Sequence, residues 1–155
     1  MVRLREGLPS DLDAMYELDV LCFEPLFRFS RRAMRQLTRA AGAFTLVADT
    51  ASGSLAGFLV VHLTRRRGET EGYLVTLDVA PDQRRQGLAQ LLVDGAEKKA
   101  IEGGASSMAL HVWVENLSAI RFYEAAGYTR TMLDTDFYGE GVSAYGYHKV
   151  LAAEE

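Results

Sequence analysis

Cysteine is nearly absent from this chain: Cys22 is the single one in 155 residues. It cannot close an internal disulfide, so a reducing, cytoplasmic setting is expected. No apolar run reaches membrane-spanning length, and the first residues alternate charge with apolar side chains instead of forming a signal-peptide core. A basic excess is also lacking: 17 Lys and Arg against 21 Asp and Glu give a formal net charge of −4, which argues against general nucleic-acid binding. The three histidines, His62, His111 and His148, have no ligand-like spacing, so no metal is expected. There is no internal repeat, low-complexity stretch or linker. With 48% hydrophobic residues, residues 1–155 are expected to form one domain with a sizeable core.

The chain is organised around Leu77 to Leu92. Gly72 to Ala80 is apolar and β-branched and predicts a strand. Pro81 cannot donate to a ladder and stops it. Leu88, Leu91, Leu92, Ala96 and Ala100 then follow helical spacing. Between them lies the basic loop Arg84-Arg85-Gln86-Gly87. The first N–H groups of a helix lack internal partners and sit at the positive end of its dipole. Gly87 lets the backbone come close, so the segment Arg84–Ala89 reads as an anion site made largely of main-chain donors. It is neither a Walker loop nor a dinucleotide fingerprint.

Around this centre the pattern predicts a strand over Val2–Glu6 and a helix capped by Ser10 with Asp13 as its capping-box partner. Cys22 to Phe29 is expected to be an aromatic loop, and Ser30 to cap a second helix ended by Gly42. That helix carries a basic face of Arg31, Arg32, Arg35 and Arg39. Strands follow at Phe44–Asp49 and Leu55–Thr64, then a charged connection from Arg65 to Glu71 and the organising strand. Its helix ends near Gly103-Gly104. A strand over Ser107–Val112, a helix over Ser118–Ala126 and a hairpin of Tyr128–Tyr138 with Ser143–Val150 complete the order βααβββαβαββ. This is a mixed α/β sheet with helices on both faces.

A second stretch fixes the meaning of the first. Arg84-x-x-Gly87-x-Ala89 and, downstream, Asn116-x-x-Ala119-x-x-Phe122-Tyr123-x-x-x-Gly127-Tyr128 resemble the two acetyl-CoA motifs of the GNAT superfamily of N-acetyltransferases. The resemblance covers essentially the whole chain. It implies the GNAT fold: a central sheet of about seven strands flanked by four helices, with strands splayed at the acetyl-CoA site. It also implies that Arg84, Arg85, Gln86, Gly87, Leu88 and Ala89 hold the pyrophosphate. Free main-chain groups near Leu77 and Val79 would meet the pantetheine and the carbonyl. Asn116 would bond the pantetheine arm or shape the turn, and Tyr123 would protonate the leaving thiolate.

The general base stays open. Where RimI-type enzymes carry a Glu, this chain has Leu110-His111-Val112, and period-2 alternation sets His111 on the face opposite Met108, Leu110 and Val112. His has a suitable ordinary pKa for base work. The Leu-His-Val triplet, with Tyr73 in Tyr73-Leu74-Val75-Thr76-Leu77, is similar to eukaryotic N-terminal acetyltransferases; His111, Tyr73 or a water relay would then take the amine proton. The same resemblance implies substrate contacts from Phe23, Pro25 and Tyr138, although acidic residues often found where Val142 and Ser143 stand are absent.

The expected activity is acetyl transfer from acetyl-CoA, as co-substrate, to a primary amine by direct attack. The amine is a peptide or protein N-terminus or, alternatively, a small polyamine, aminoglycoside or amino acid. A non-catalytic acyl-CoA sensor is the rival of another class; it would need the loop but neither Tyr123 nor His111. No nucleic-acid or membrane partner is expected, and the chain would act as a monomer or homodimer.

Overall fold

The computed structural model describes residues 2–151. The elements are β1 Arg3–Glu6, α1 Leu12–Cys22, α2 Arg31–Arg39, β2 Ala43–Asp49, β3 Leu55–Arg66, β4 Glu69–Val79, α3 Leu88–Glu102, β5 Ala105–Trp113, α4 Leu117–Ala125, β6 Thr129–Asp134 and β7 Ala144–Val150. Their order is the one read from the sequence. They build a seven-stranded sheet in the order β1-β2-β3-β4-β5-β7-β6. Every pairing is antiparallel except β4 with β5. Parallel neighbours need a crossover, and α3 supplies it.

Two hydrophobic layers cover the sheet. On one face Leu88, Leu92, Val93, Ala96 and Ala100 of α3, with Ile120 and Tyr123 of α4, pack on Leu59, Val61, Leu74, Met108, Leu110 and Val112. On the other face Met15 and Leu18 of α1 and Met34 and Leu37 of α2 cover Val47, Phe58 and Val60. Each fully buried Leu, Met or Phe contributes about 1.5–3 kcal/mol by leaving water, which fixes both helix pairs to the sheet.

Local details differ from expectation where side chains find distant partners. Ser10 lies in a 3-10 turn over Pro9–Asp11 and caps nothing; Asp11 stands at the start of α1. Its carboxylate accepts the Leu8 N–H (2.7 Å) and both terminal nitrogens of Arg5 (2.8 Å each), so Arg5 holds it below the usual carboxylate range. Asp13 pairs with Arg31 instead of closing a capping box. Ser30 does cap α2, accepting the Ala33 N–H at 3.0 Å, but α2 stops at Arg39, before Gly42. Arg65 to Glu71 is no connection: β3 and β4 run on as paired strands to Arg66 and Glu69. Arg67 and Gly68 form the tip, both left-handed (φ 53° and 80°), the geometry that matches strand twist in a two-residue hairpin. The last hairpin is shorter than expected, since β6 ends at Asp134 and Tyr138 lies in the following loop.

Two irregularities open the centre of the sheet. Val60 faces Thr76 while Val61 faces Leu74, so Val75 is an extra residue in β4. Such a bulge bends the strand and changes which side chains share a face. Gly72 and Leu74 lie towards α3, but beyond the bulge Leu77 and Val79 do so, while Val75 and Ala80 pack with α1 and α2. Pairing of β4 with β5 also stops at Tyr73 with Ala109. Past that point the two strands splay, as the family resemblance implied.

Candidate active site

The coenzyme-side loop follows from chain geometry. After β4, a 3-10 turn at Pro81–Gln83 leads into Arg84. Arg85 (φ 64°) and Gly87 (φ 80°) are both left-handed, and α3 begins at Leu88 with no side chain capping it. The first N–H groups of α3 are therefore left for a ligand. Leu88 is buried, so only its main chain faces the loop. Arg84 Nε donates to the Val79 carbonyl (3.2 Å), and Cys22 Sγ donates to the same oxygen (3.3 Å). The Val79 carbonyl is thus already engaged, and Leu77 borders the open gap.

That gap widens into a cavity of about 380 Å³. Leu77 borders it from β4, His111 from β5, and Asn116 and Tyr123 from α4 and its start. Phe23, Glu24, Phe27 and Phe29 wall it from the α1–α2 segment, and Tyr138 from the β6–β7 loop. Pro25 is not on the wall; it starts the 3-10 turn Pro25–Phe27 that turns Phe27 inward. Phe27 packs against Trp113 and edge-on against Tyr138, both at 5.0 Å between centroids. Asn116 shapes the turn: its side-chain oxygen caps α4 on the Ala119 N–H (3.2 Å).

Tyr123 and His111 reach the gap from opposite faces of the sheet. Tyr123 belongs to the α3–α4 layer. Burial, with a smaller push from Asp78, raises its phenol well above the ordinary value, so it stays protonated. His111 points to the α1–α2 side, as alternation predicted, and lies in a hydrogen-bonded chain. Tyr73 Oη is 2.7 Å from His111 Nδ1, and His111 Nε2 is 2.6 Å from Asp134 Oδ2. A carboxylate at Nε2 requires a proton there, which leaves Nδ1 to accept from the Tyr73 hydroxyl. Phe137 stacks on the imidazole at 3.9 Å, and Tyr138 Oη donates to the His111 carbonyl at 3.4 Å. Burial raises the Tyr73 phenol strongly and pushes Tyr138 up to about 12.

Asp134 was not foreseen from sequence. Gly146 of β7 is in register with both His111 and Met132. Lacking a side chain, it makes room for Met132, which lies over it; Asp134, two residues beyond Met132, reaches His111 from a strand that is not its neighbour. Tyr73 stands behind His111 and off the cavity wall. His62 and His148 serve elsewhere, against the Leu37 carbonyl and Glu71, and the described residues contain no metal-ligating cluster.

The sequence model of the acetyltransferase (GNAT) family matches residues 12–128. The chain belongs to that family. This GNAT enzyme is 26% identical over 158 residues to the N-terminal acetyltransferase A complex catalytic subunit NAA10 of Arabidopsis thaliana, covering 100% of this chain and 81% of the relative. Its fold superposes on the ribosomal-protein-S18-alanine N-acetyltransferase of Escherichia coli with a TM-score of 0.86 at 20% identity, covering 100% and 97% of the two chains. It superposes on Arabidopsis thaliana NAA60 in complex with acetyl-CoA with a TM-score of 0.83 at 19% identity, covering 97% and 99%.

The loop geometry of this GNAT enzyme makes Gly87→Val a direct test. A Cβ at Gly87 would meet nothing within 4 Å, so the penalty is the left-handed backbone alone. A left-handed conformation costs about 1–2 kcal/mol for an L-residue. Acetyl-CoA affinity, measured by calorimetry, should fall about tenfold. Unchanged affinity would count against this loop as the anion site.

Proposed function

We propose that the chain transfers the acetyl group of acetyl-CoA to the α-amine of a peptide or protein N-terminus, as RimI-type and NAA10-type enzymes do. The observation that carries the reading is His111, held between Tyr73 and Asp134 by hydrogen bonds, on the wall of the same gap as Tyr123. The thioester lies in the gap with its sulfur towards Tyr123, and the amine enters from the side walled by Phe23, Phe27 and Tyr138. The amine nitrogen bonds to the thioester carbon as its proton passes through water to Tyr73, which stands behind His111, while Tyr73 gives its own to His111 Nδ1. The carbon–sulfur bond breaks and Tyr123 protonates the thiolate. The proton on His111 returns to Tyr123 through solvent, closing the cycle. Acceptor chemistry favours an N-terminus: with pKa values of about 8 and 10.4, about a tenth of α-amines but well under a thousandth of lysines are neutral at pH 7.

The test is coenzyme A release across peptides with free N-termini, the same peptides blocked but carrying Lys, and polyamines and aminoglycosides. Turnover confined to free N-termini is expected. Turnover only with small amines would overturn the acceptor assignment and leave the coenzyme site standing. Asp134→Asn probes the relay. It replaces a charge-assisted hydrogen bond, worth about 1.5–3 kcal/mol when well formed, with a neutral one. Because Asp134 is 42% exposed, the lower end applies, and kcat at pH 7 should fall about tenfold. A wild-type pH–rate profile in that variant would remove Asp134 from the relay.

A further inference from the structure

Asp19 on α1 and Asp78 on β4 are both 0% exposed, and the reaction described above uses neither. One oxygen of each is accounted for: Asp19 Oδ2 accepts the Phe29 N–H (2.8 Å), and Asp78 Oδ1 accepts the Thr76 hydroxyl (2.6 Å). The others, Asp19 Oδ1 and Asp78 Oδ2, are buried with no donor. Two bare carboxylates there would each leave a desolvated acceptor unpaired and would repel one another. α1 packs on β4 and the two carboxyls lie within hydrogen-bonding reach of one another, so one proton held between them satisfies both oxygens. The bulge at Val75 makes the meeting possible, because without it Asp78 would face α3.

We propose that Asp19 and Asp78 share one proton and act as a positioning latch, clamping the acceptor segment Phe23–Phe29 to the coenzyme strand β4. The role in acceptor binding rests on the function proposed above; the shared proton does not. Asp19 holds both ends of the segment, its carbonyl taking the Phe23 N–H (3.1 Å) and its carboxyl the Phe29 N–H. Phe23 and Phe29 are cavity walls. Losing the proton charges both carboxyls, drives them apart and loosens the segment that receives the acceptor.

The groups facing the pair set the direction of its pH response. Burial is the largest influence on Asp78, followed by the hydrogen bond and charge of Asp19; both raise it well above the ordinary value, against Thr76 and Arg84, which lower it. Cys22, from α1, is pushed up to about 11 by burial and by Asp78, so it remains a neutral thiol. Tyr123, from α4, feels the Asp78 charge and becomes a weaker acid if that charge appears. A folded value above the unfolded one means that the latch stabilises fully below about pH 4 and is lost as pH rises through the folded value.

Asp78→Asn is the informative variant. Its amide oxygen can still accept from Thr76 while its NH₂ donates permanently to Asp19. The first measurement is ¹³C NMR of Asp-labelled protein, in which a carboxyl signal of the protonated type should persist at pH 7 and vanish in Asp78→Asn. The second is amide-exchange protection of Phe29 from pH 6 to 10, which should fall at least tenfold in the wild type and stay flat in the variant. The third is the peptide KM at saturating acetyl-CoA, whose wild-type to variant ratio should rise about tenfold over that range; taking the ratio cancels titration of the amine. Ionised Asp carboxyls throughout at pH 7, or equal Phe29 protection in both proteins, would overturn the latch. A constant KM ratio with altered protection would overturn its role in acceptor binding. Failure of every N-terminal peptide to react would sink the proposed acceptor class while the first two measurements still decide the shared proton. If Asp78→Asn fails to fold, Asp19→Asn serves instead, its oxygen accepting from Phe29 and its NH₂ donating to Asp78.

Discussion

Tyr123→Phe should lower kcat by about 10²–10⁴-fold, the usual worth of a positioned general acid, with acetyl-CoA affinity unchanged. The two effects separate because the ring and the hydroxyl do different work. The ring is 8% exposed and packs edge-on against Phe122 and Tyr128, at 5.0 and 5.8 Å. Phenylalanine keeps those contacts. Only the proton is lost, and it matters when the carbon–sulfur bond breaks. A thiolate is a tolerable leaving group, since thiols have pKa values of about 8–9, which puts the loss nearer the lower figure. The phenol of Tyr123, raised by burial, should also give wild-type kcat no alkaline limb of its own below about pH 10. Coenzyme A release and calorimetric binding together check this; a wild-type rate in Tyr123→Phe would remove the acid role.

His111→Ala should cost about 10²-fold in kcat at pH 7 and recover most of it by pH 10. The variant deletes the acceptor for the Tyr73 proton and the partner of Asp134 in one step. At pH 7 the acceptor amine is mostly protonated and needs the relay. Well above its pKa of about 8 it is already neutral, so a relay has less left to do. A structural histidine would behave otherwise. Losing its stack on Phe137 and its two hydrogen bonds would lower the melting temperature and depress the rate equally at every pH. Rates and thermal melts between pH 6 and 10 discriminate the two.

Features written in nearest neighbours were legible in the sequence. The alternation of Met108, Leu110 and Val112 set the face of His111 correctly, and Ser30 announced the start of α2. Gly87 marked the loop that enters α3. What stayed hidden depends on register between distant segments. Asp134 reaches His111 across β7, through the register of β5, β7 and β6, and no spacing within one strand reports that. Asp19 and Asp78 look like ordinary surface carboxylates until α1 is packed on β4. The charged tip from Arg65 to Glu71 hid paired strands, because a ribbon exposed on both faces shows no alternation. Pro25, expected to contact the substrate, instead starts the turn that carries Phe27 to the cavity wall.

The extra residue at Val75 gives β4 a phase as well as a sequence. Before it the odd-numbered Tyr73 meets the imidazole of His111; after it the odd-numbered Leu77 and Val79 turn to the opposite layer. Swapping one apolar side chain for another in this strand leaves that phase intact. Removing Val75 or Thr76 would not, since every later side chain would change sides, moving Asp78 into oil and Leu77 out of the gap. The strand can therefore drift freely in composition but not in length, and its count of residues is itself part of the catalytic apparatus.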